Sequence, residues 1–251
     1  MAIHSVLVSG SSRGIGLGLV KKFLERKDVD IVIAGCRNSD NAKDLHAIND
    51  KRLHVVELDV SCDKSIEEAV EKVDSIVGDK GLTILINNAA ILTGYDFFSK
   101  PDRKMINELM NVNTTGAVIM MQMFYPLIKR AADLVPGDEF SSSRAAIVQI
   151  SSNLGSISIP KKSFTGRVKV LDYCMSKSAL NQASRIIAHD VETDCIIVCA
   201  VHPGWVQTDM GGKNAEVPLD ECTSDLVDSI VSLNKEHTGG LFTRKLEVIP
   251  F

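Results

Sequence analysis

Tyr173 and Lys177 are spaced so that they could act together as an acid or base. They lie four residues apart in LDYCMSKSAL, a run without Gly or Pro that predicts a helix, so the phenol and the ammonium share one helical face. A positive charge stabilises a nearby phenolate and lowers the phenol's pKa from its ordinary value of about 10. The pair is a candidate general acid or base, although a packed ring beside a solvated amine explains the same spacing.

A glycine-rich turn separates the first predicted strand from the first predicted helix. Residues 3 to 9 are mostly apolar, and a Gly-x-x-x-Gly-x-Gly turn leads from them into a helical pattern. Glycines let the backbone approach a pyrophosphate closely, and a helix N-terminus attracts it. An ordinary strand-to-helix turn is the alternative. The candidate dinucleotide contacts in this turn are Gly10, Ser12, Arg13, Gly14, Ile15 and Gly16.

The residues after the second predicted strand indicate which dinucleotide binds. Residues 30 to 35 form this strand, and Cys36, Arg37 and Asn38 follow it without the acidic residue that would bind a ribose hydroxyl. Arg37 can instead pair with a 2'-phosphate, together with Arg13 of the glycine turn. Either arginine alone could be a solvated surface residue, but the two together predict NADP(H).

Polar residues end the next two predicted strands, where an open parallel sheet binds its ligands. Residues 53 to 60 end in Asp59 and Val60, and Asp59 either accepts from an adenine amino group or caps the following helix. Residues 82 to 90 form the next strand, and the paired side-chain amides of Asn87 and Asn88 near its end either brace the sheet edge and position the cofactor or only form a turn.

The second half of the chain supplies a possible catalytic face. A long helix is predicted over 101 to 130, with Asn113 to Gly116 as a defect in its middle. A strand over 144 to 151 delivers Ser151 and Ser152, and the connection over 153 to 171 is long enough to be a functional segment.

The final part of the chain is predicted to contain two more strands and a helix. A strand over 195 to 201 ends at His202, which we expect only to pack, and Thr208 could donate to a carboxamide. Residues 209 to 222 suit a lid, 226 to 234 a helix, and the LEVIP run near the end a last short strand.

Length and composition limit the classes of protein that fit. The 251 residues suffice for one large core, so we predict a single domain with a cofactor half over about 1–100 and a catalytic half over about 101–251. The formal net charge of -4 argues against nucleic acid as a partner, and no apolar run reaches the ~20 residues of a membrane helix. Six cysteines without paired metal spacing favour a reduced cytoplasmic protein and predict no metal site.

Alternating strands and helices with a glycine turn after the first strand predict an α/β fold, a doubly wound parallel sheet of the Rossmann type with helices on both faces. With its motifs in this order, the chain resembles the short-chain dehydrogenase/reductase family over nearly its whole length. SGSSRGIG is similar to the family's cofactor turn, and NNAA to its NNAG motif. The resemblance implies a catalytic tetrad of Asn113, Ser152, Tyr173 and Lys177, of which the last two also contact the cofactor. Its further cofactor contacts are Asp59, Val60, Asn88, Ala89, Ala90, Pro203, Gly204, Val206 and Thr208.

Within that family, SSNLGSIS, YCMSKSALN and the ending after GG are most similar to the sniffer-type carbonyl reductases. Ser152 is preferred over Ser151 because Gly155 follows it by three residues, as in the family. Three features depart from the family pattern: Ser9 replaces Thr, Ala90 replaces the NNAG glycine, and Ser152 and Tyr173 are separated by a longer loop.

The resemblance implies NADPH-dependent reduction of an aldehyde, ketone or quinone, with Tyr173 as the acid, Lys177 lowering its pKa, Ser152 holding the substrate oxygen, and Asn113 with a water linking Lys177 to solvent. Oxidation of a secondary alcohol or sterol, and a catalytically silent nucleotide-binding module, remain alternatives. The family's usual assembly implies a homodimer or a dimer-based tetramer.

Overall fold

A parallel β-sheet forms the centre of the computed structural model, which describes residues 2–159 and 169–251. Its seven strands run in the order β3-β2-β1-β4-β5-β6-β7, and every neighbouring pair is parallel. The direction of winding reverses between β1 and β4, the point at which such sheets bind ligands. The predicted doubly wound fold is confirmed. The strands are β1 (Ile3–Ser9), β2 (Val29–Cys36), β3 (Leu53–Glu57), β4 (Ile84–Asn87), β5 (Ala146–Ile150), β6 (Ile197–His202) and β7 (Leu241–Thr243).

Helices cover both faces of this sheet. They are α1 (Gly14–Glu25), α2 (Lys43–His46), α3 (Asp63–Val77), α4 (Arg103–Met110), α5 (Gly116–Asp133), α6 (Leu171–Asp190) and α7 (Leu219–Val231). Alternation along β1 separates the two cores, because Val6 and Val8 pack with α1 and α7 whereas Leu7 packs with α3 and α5. In the part of the chain that the structure describes, no helix is both long and apolar enough to cross a bilayer.

The predicted long helix is present but changes its winding where the sequence predicts a defect. α4 passes into a π-helical turn over Asn111–Thr115 and continues as α5. Gly116 follows this turn, and only glycine fits at that position because a Cβ would lie only 2.2 Å from the Val60 carbonyl oxygen. The π turn thus contains Asn113, and the residue that follows the turn packs against the backbone after β3.

Two predictions near the end of the chain are wrong. The last strand is Leu241–Thr243, and the LEVIP run instead turns back after Leu246, which has a φ of 61°, to bridge Phe242 from Val248. The apolar residues of the LEVIP run resemble a strand. Residues 241–243 come earlier in the chain, directly after the glycines at 239 and 240, and they are the ones that pair with β6. The last helix begins at Leu219 rather than 226, directly after Pro218, so the predicted lid over 209 to 222 overlaps its first turn.

Candidate active site

Helix α6 carries Tyr173 and Lys177 to the carboxyl end of the sheet. Lys177 is 2% exposed, and its Nζ donates a 2.8 Å hydrogen bond to the carbonyl oxygen of Ile150, the last residue of β5. The same Nζ lies 5.7 Å from the centroid of the half-buried Tyr173 ring. The ammonium thus lies between the phenol and the strand end that is followed by the two serines.

Burial shifts the two groups in opposite directions. It raises the pKa of Tyr173 to about 12 and lowers the pKa of Lys177 to about 8. The sequence predicts a lowered pKa for Tyr173, but desolvation raises it, and the neighbouring Cys174 thiol adds to the rise. The phenol is therefore protonated at neutral pH, which suits a proton donor.

Ser152 begins a tight turn that packs against α6. Its Oγ accepts a 3.1 Å hydrogen bond from the Leu154 amide, and the carbonyl oxygen of Gly155, the last residue of the turn, accepts one from the Ser178 hydroxyl. A Cβ on Gly155 would lie 2.7 Å from the Lys177 carbonyl carbon, so only glycine permits this approach. Ser151 instead donates to the Asn181 side chain at 2.6 Å and is 2% exposed. The sequence favours Ser152 because a glycine follows it by three residues, and that glycine is the residue that lets the turn approach α6.

Asn113 connects the π turn to two other segments. Its Oδ1 accepts from the Ile91 amide at 2.8 Å, and its Nδ2 donates to the Ile91 carbonyl at 2.9 Å and to the Ser176 hydroxyl at 3.3 Å. Thr114 also donates to the Ser176 carbonyl at 2.9 Å. Asn113 therefore joins the segment after β4 to the residue beside Lys177.

The glycine turn has the form that a pyrophosphate requires. Gly10 and Gly14 have φ angles of 66° and 55°, and a Cβ on Gly16 would lie 2.3 Å from the Gly10 carbonyl oxygen. Arg13 precedes α1 without a side-chain cap, and no acidic residue lies in the first turn, so the helix N-terminus can attract an anion. The exposed side chains of Ser12 and Arg13 border this cradle, and Ile15 packs into the core. A dinucleotide phosphate fits these residues.

Ser9 holds the end of β4 against this turn. Its Oγ accepts hydrogen bonds of 3.0 and 3.1 Å from the amides of Asn88 and Ala89. The Asn88 side chain donates to the carbonyls of Ser9 and Gly10 at 2.9 and 3.2 Å. Among the described residues other than glycine, only Cys195 and Leu246 have positive φ, so Ala90 has a backbone open to any residue. Asn88 therefore braces the sheet edge, one of its two predicted roles.

The segment after β6 returns to the glycine turn. Gly204 has a φ of 91°, Val206 is buried, and Thr208 lies so near that a Cβ on Gly14 would be 3.6 Å from its Cγ2. Arg13 pairs with Asp209 at 3.1 Å, with both side chains largely exposed. Pro203 accepts from the Cys222 thiol at 3.4 Å, which ties this segment to α7. The predicted cofactor residues from the two ends of the chain thus meet.

Other predicted positions have plainer surroundings. Asp59 accepts from the Ser61 amide and hydroxyl, whereas Cys62 is the residue that precedes α3, so Asp59 does not cap that helix. Val60 is buried and Arg37 exposed. Burial lowers the pKa of His202 to about 4, so its ring is neutral as a packed side chain. Residues 160–168 of the predicted functional loop over 153 to 171 lie outside the described residues.

Three residues of this region escaped the sequence prediction. Ile91 and Ser176 receive the hydrogen bonds of Asn113, and the fully buried Asp172 binds Thr93. The first two give no signal in the sequence, since a backbone amide and a helical serine are ordinary. An acidic residue directly before Tyr173 is visible in the sequence, and its position in the first turn of α6 could have drawn attention to it.

Comparison with known proteins gives the relatives of the chain. The family model described as short chain dehydrogenase matches residues 4–218. A norsolorinic acid ketoreductase of Dothistroma septosporum is 30% identical over 248 residues, covering 94% of this chain and 87% of that protein.

Two solved structures are similar over the whole of this chain. The candidate carbonyl reductase Sniffer of Caenorhabditis elegans is 41% identical with a TM-score of 0.92, covering 100% of both chains. The NADPH-bound carbonyl reductase from chicken fatty liver is 33% identical with a TM-score of 0.94, covering 100% of this chain and 95% of that one. The predicted likeness to sniffer-type carbonyl reductases is confirmed.

Proposed function

Because the chain belongs to the short chain dehydrogenase family, we propose that it reduces the carbonyl group of an aldehyde, ketone or quinone with NADPH. The observation that carries this proposal is the meeting of β5 and α6, where Lys177 binds the last carbonyl of β5 beside Ser152 and faces the Tyr173 ring. An acid, a cation and a hydroxyl in one place suit the protonation of a carbonyl oxygen.

Each residue of the tetrad has one task. Ser152 donates a hydrogen bond to the substrate oxygen and orients it, and Tyr173 gives that oxygen its proton. Lys177 stabilises the resulting phenolate, and Asn113 holds the π turn in place so that a water can carry protons to Lys177. Bound NADPH supplies the hydride for the carbonyl carbon. Its phosphates would lie at the glycine turn, and its carboxamide near Thr208.

The cofactor preference favours reduction over oxidation of a secondary alcohol or sterol, since the same residues can serve both directions. A protonated phenol suits the proton donor of the reduction, and burial raises the pKa of Tyr173 to about 12. Arg13 and Arg37, both exposed near the cofactor cradle, support a preference for the phosphorylated dinucleotide.

The substrate we propose is a bulky apolar carbonyl compound. Large apolar side chains are exposed on the loops that follow β4, β5 and β6, all at the carboxyl edge of the sheet. Exposed large apolar side chains gathered at the ligand edge of the sheet favour an apolar ligand. These side chains are Leu92, Phe97, Phe98, Ile157, Trp205 and Met210.

We further propose a cytoplasmic homodimer. Met175 and Ile186 are 46% and 52% exposed. They are eleven residues apart, close to three helical turns, so both lie on the same outer face of α6, which is the face we propose for the dimer contact. Light scattering coupled to size exclusion tests this, because a monomer mass would contradict it.

Replacement of the proposed acid tests the function directly. Tyr173→Phe keeps the ring but removes the phenolic hydroxyl and its acidic proton. We therefore expect turnover of a panel of aldehydes, ketones and quinones to fall at least ~100-fold. NADPH affinity, measured by fluorescence titration, should change little and exceed NADH affinity. Turnover retained by the variant would reject the role of Tyr173. Wild-type inactivity on the whole panel would favour a silent binding module.

A further inference from the structure

We propose that Asp172 and Thr93 form a positioning pair that couples the segment after β4 to the backbone of Tyr173. The inference rests on the proposed function, since it assigns Tyr173 the role of acid. Neither residue belongs to the tetrad or to the cofactor contacts. The pair would set where the substrate lies relative to the phenol.

Asp172 is a carboxylate with no exposed surface, located in the first turn of α6. Its Oδ1 accepts a 2.9 Å hydrogen bond from the Tyr173 amide, and its Oδ2 accepts from the Thr93 hydroxyl. A buried carboxylate is costly unless such donors satisfy it. The Thr93 hydroxyl is therefore a partner that this buried charge requires.

The segment around Thr93 is tied to the catalytic elements on three sides. Asn113 binds both backbone groups of Ile91, and the Leu171 amide donates to the Tyr95 carbonyl at 2.9 Å. The residue preceding α6, Val170, makes no side-chain cap. The Tyr95 carbonyl and the Asp172 carboxylate thus take the place of a cap, and the helix that carries Tyr173 begins against this segment.

The arrangement couples catalysis to the substrate wall. Leu92 lies next to Thr93 and belongs to the proposed apolar rim, and Phe97 and Phe98 follow. If the hydrogen bond from Thr93 to Asp172 is lost, the carboxylate lacks a donor and the first turn of α6 becomes less ordered. The apolar rim residues and the Tyr173 phenol can then move independently of one another. Small displacements of a reacting group reduce turnover strongly.

Thr93→Val tests the pair because it removes the hydroxyl and keeps the shape. We expect kcat with NADPH and a carbonyl substrate to fall about 10-fold, with NADPH affinity unchanged. Thr93→Ser restores the hydroxyl and should recover most of the rate. Thr83→Val is the matched control. Thr83 is also a buried threonine, but it lies directly before the first residue of β4, at the end away from Thr93, so this variant should keep the wild-type kcat.

A second readout does not depend on turnover. Amide hydrogen exchange of residues 169–176 should speed up in Thr93→Val and return to the wild-type rate in Thr93→Ser. Unchanged exchange and unchanged kcat would overturn the pair while the proposed function stands. If the wild-type protein turns over no carbonyl but Thr93→Val still loosens the start of α6, the proposed function fails and the structural coupling survives.

Discussion

Burial of Lys177 places its titration close to the physiological range. With the pKa lowered to about 8, the amine is charged at pH 7 and loses its proton within about one pH unit above that range. Tyr173, with its pKa raised to about 12, stays protonated throughout. In the free protein, Lys177 rather than Tyr173 is therefore the group that changes charge between pH 7 and 9.

The rate of carbonyl reduction should consequently fall as pH rises through about 8. Charged Lys177 is needed to stabilise the phenolate that forms, so kcat/KM should decline about tenfold per pH unit above that point. A pH profile with one apolar aldehyde measures this. Lys177→Arg keeps its charge at all these pH values, so its lower residual rate should lack the decline. A flat wild-type profile up to pH 10 would contradict the prediction.

Elements meet at the site through a few short polar contacts. The Ser9 hydroxyl, at the end of β1, satisfies two amides at the end of β4, and Gly155 lets the turn after β5 approach α6. The Ser9 contact joins neighbouring strands at the point where the winding reverses, and the Gly155 contact joins the end of β5 to the helix that carries Tyr173.

Removal of the Ser9 hydroxyl should weaken cofactor binding and stability together. Ser9 is 1% exposed, so Ser9→Ala leaves the partly buried Asn88 and Ala89 amides without their acceptor, at a cost of about 1–3 kcal/mol in the free energy of unfolding. Denaturant unfolding and NADPH titration measure the two effects. Ser9→Thr keeps the hydroxyl and serves as the control. An Ala variant as stable as wild type would show that water replaces the hydroxyl.

Residue types over a few positions predict the strands, the helices and the glycine turn. Contacts between distant parts of the chain determine the features that such local patterns miss. The glycine turn, the buried strands and the helix defect at Asn113 follow from residue types over a few positions, and the structure has them. The position of the last strand does not follow from residue types. LEVIP and LFT are both apolar enough to form a strand, and only the pairing of LFT with β6 distinguishes them. Thr93 and Asp172 are 79 residues apart, and no local signal pairs them.

At the scale of the whole molecule, the buried ammonium of Lys177 opposes folding. Its folded pKa of about 8 lies below the ordinary 10.5, so the unfolded chain holds more protons between these values. The free energy of unfolding therefore falls as pH drops from about 10.5 to 8, and the full penalty applies at all lower pH. From the size of the shift it is about 3 kcal/mol.

Lys177→Met should accordingly make the protein more stable while abolishing turnover. Methionine fills a similar volume without a charge, and we expect a gain of about 1–3 kcal/mol at pH 7, partly offset because the Ile150 carbonyl loses its donor. Denaturant unfolding at pH 7 and pH 10 measures it, and the gain should be smaller at pH 10. Lys64→Met, whose side chain is 81% exposed, is the control without a buried charge. A less stable Lys177 variant at pH 7 would mean that the hydrogen bond to β5 outweighs desolvation, and that the amine holds the sheet and α6 together as well as serving the reaction.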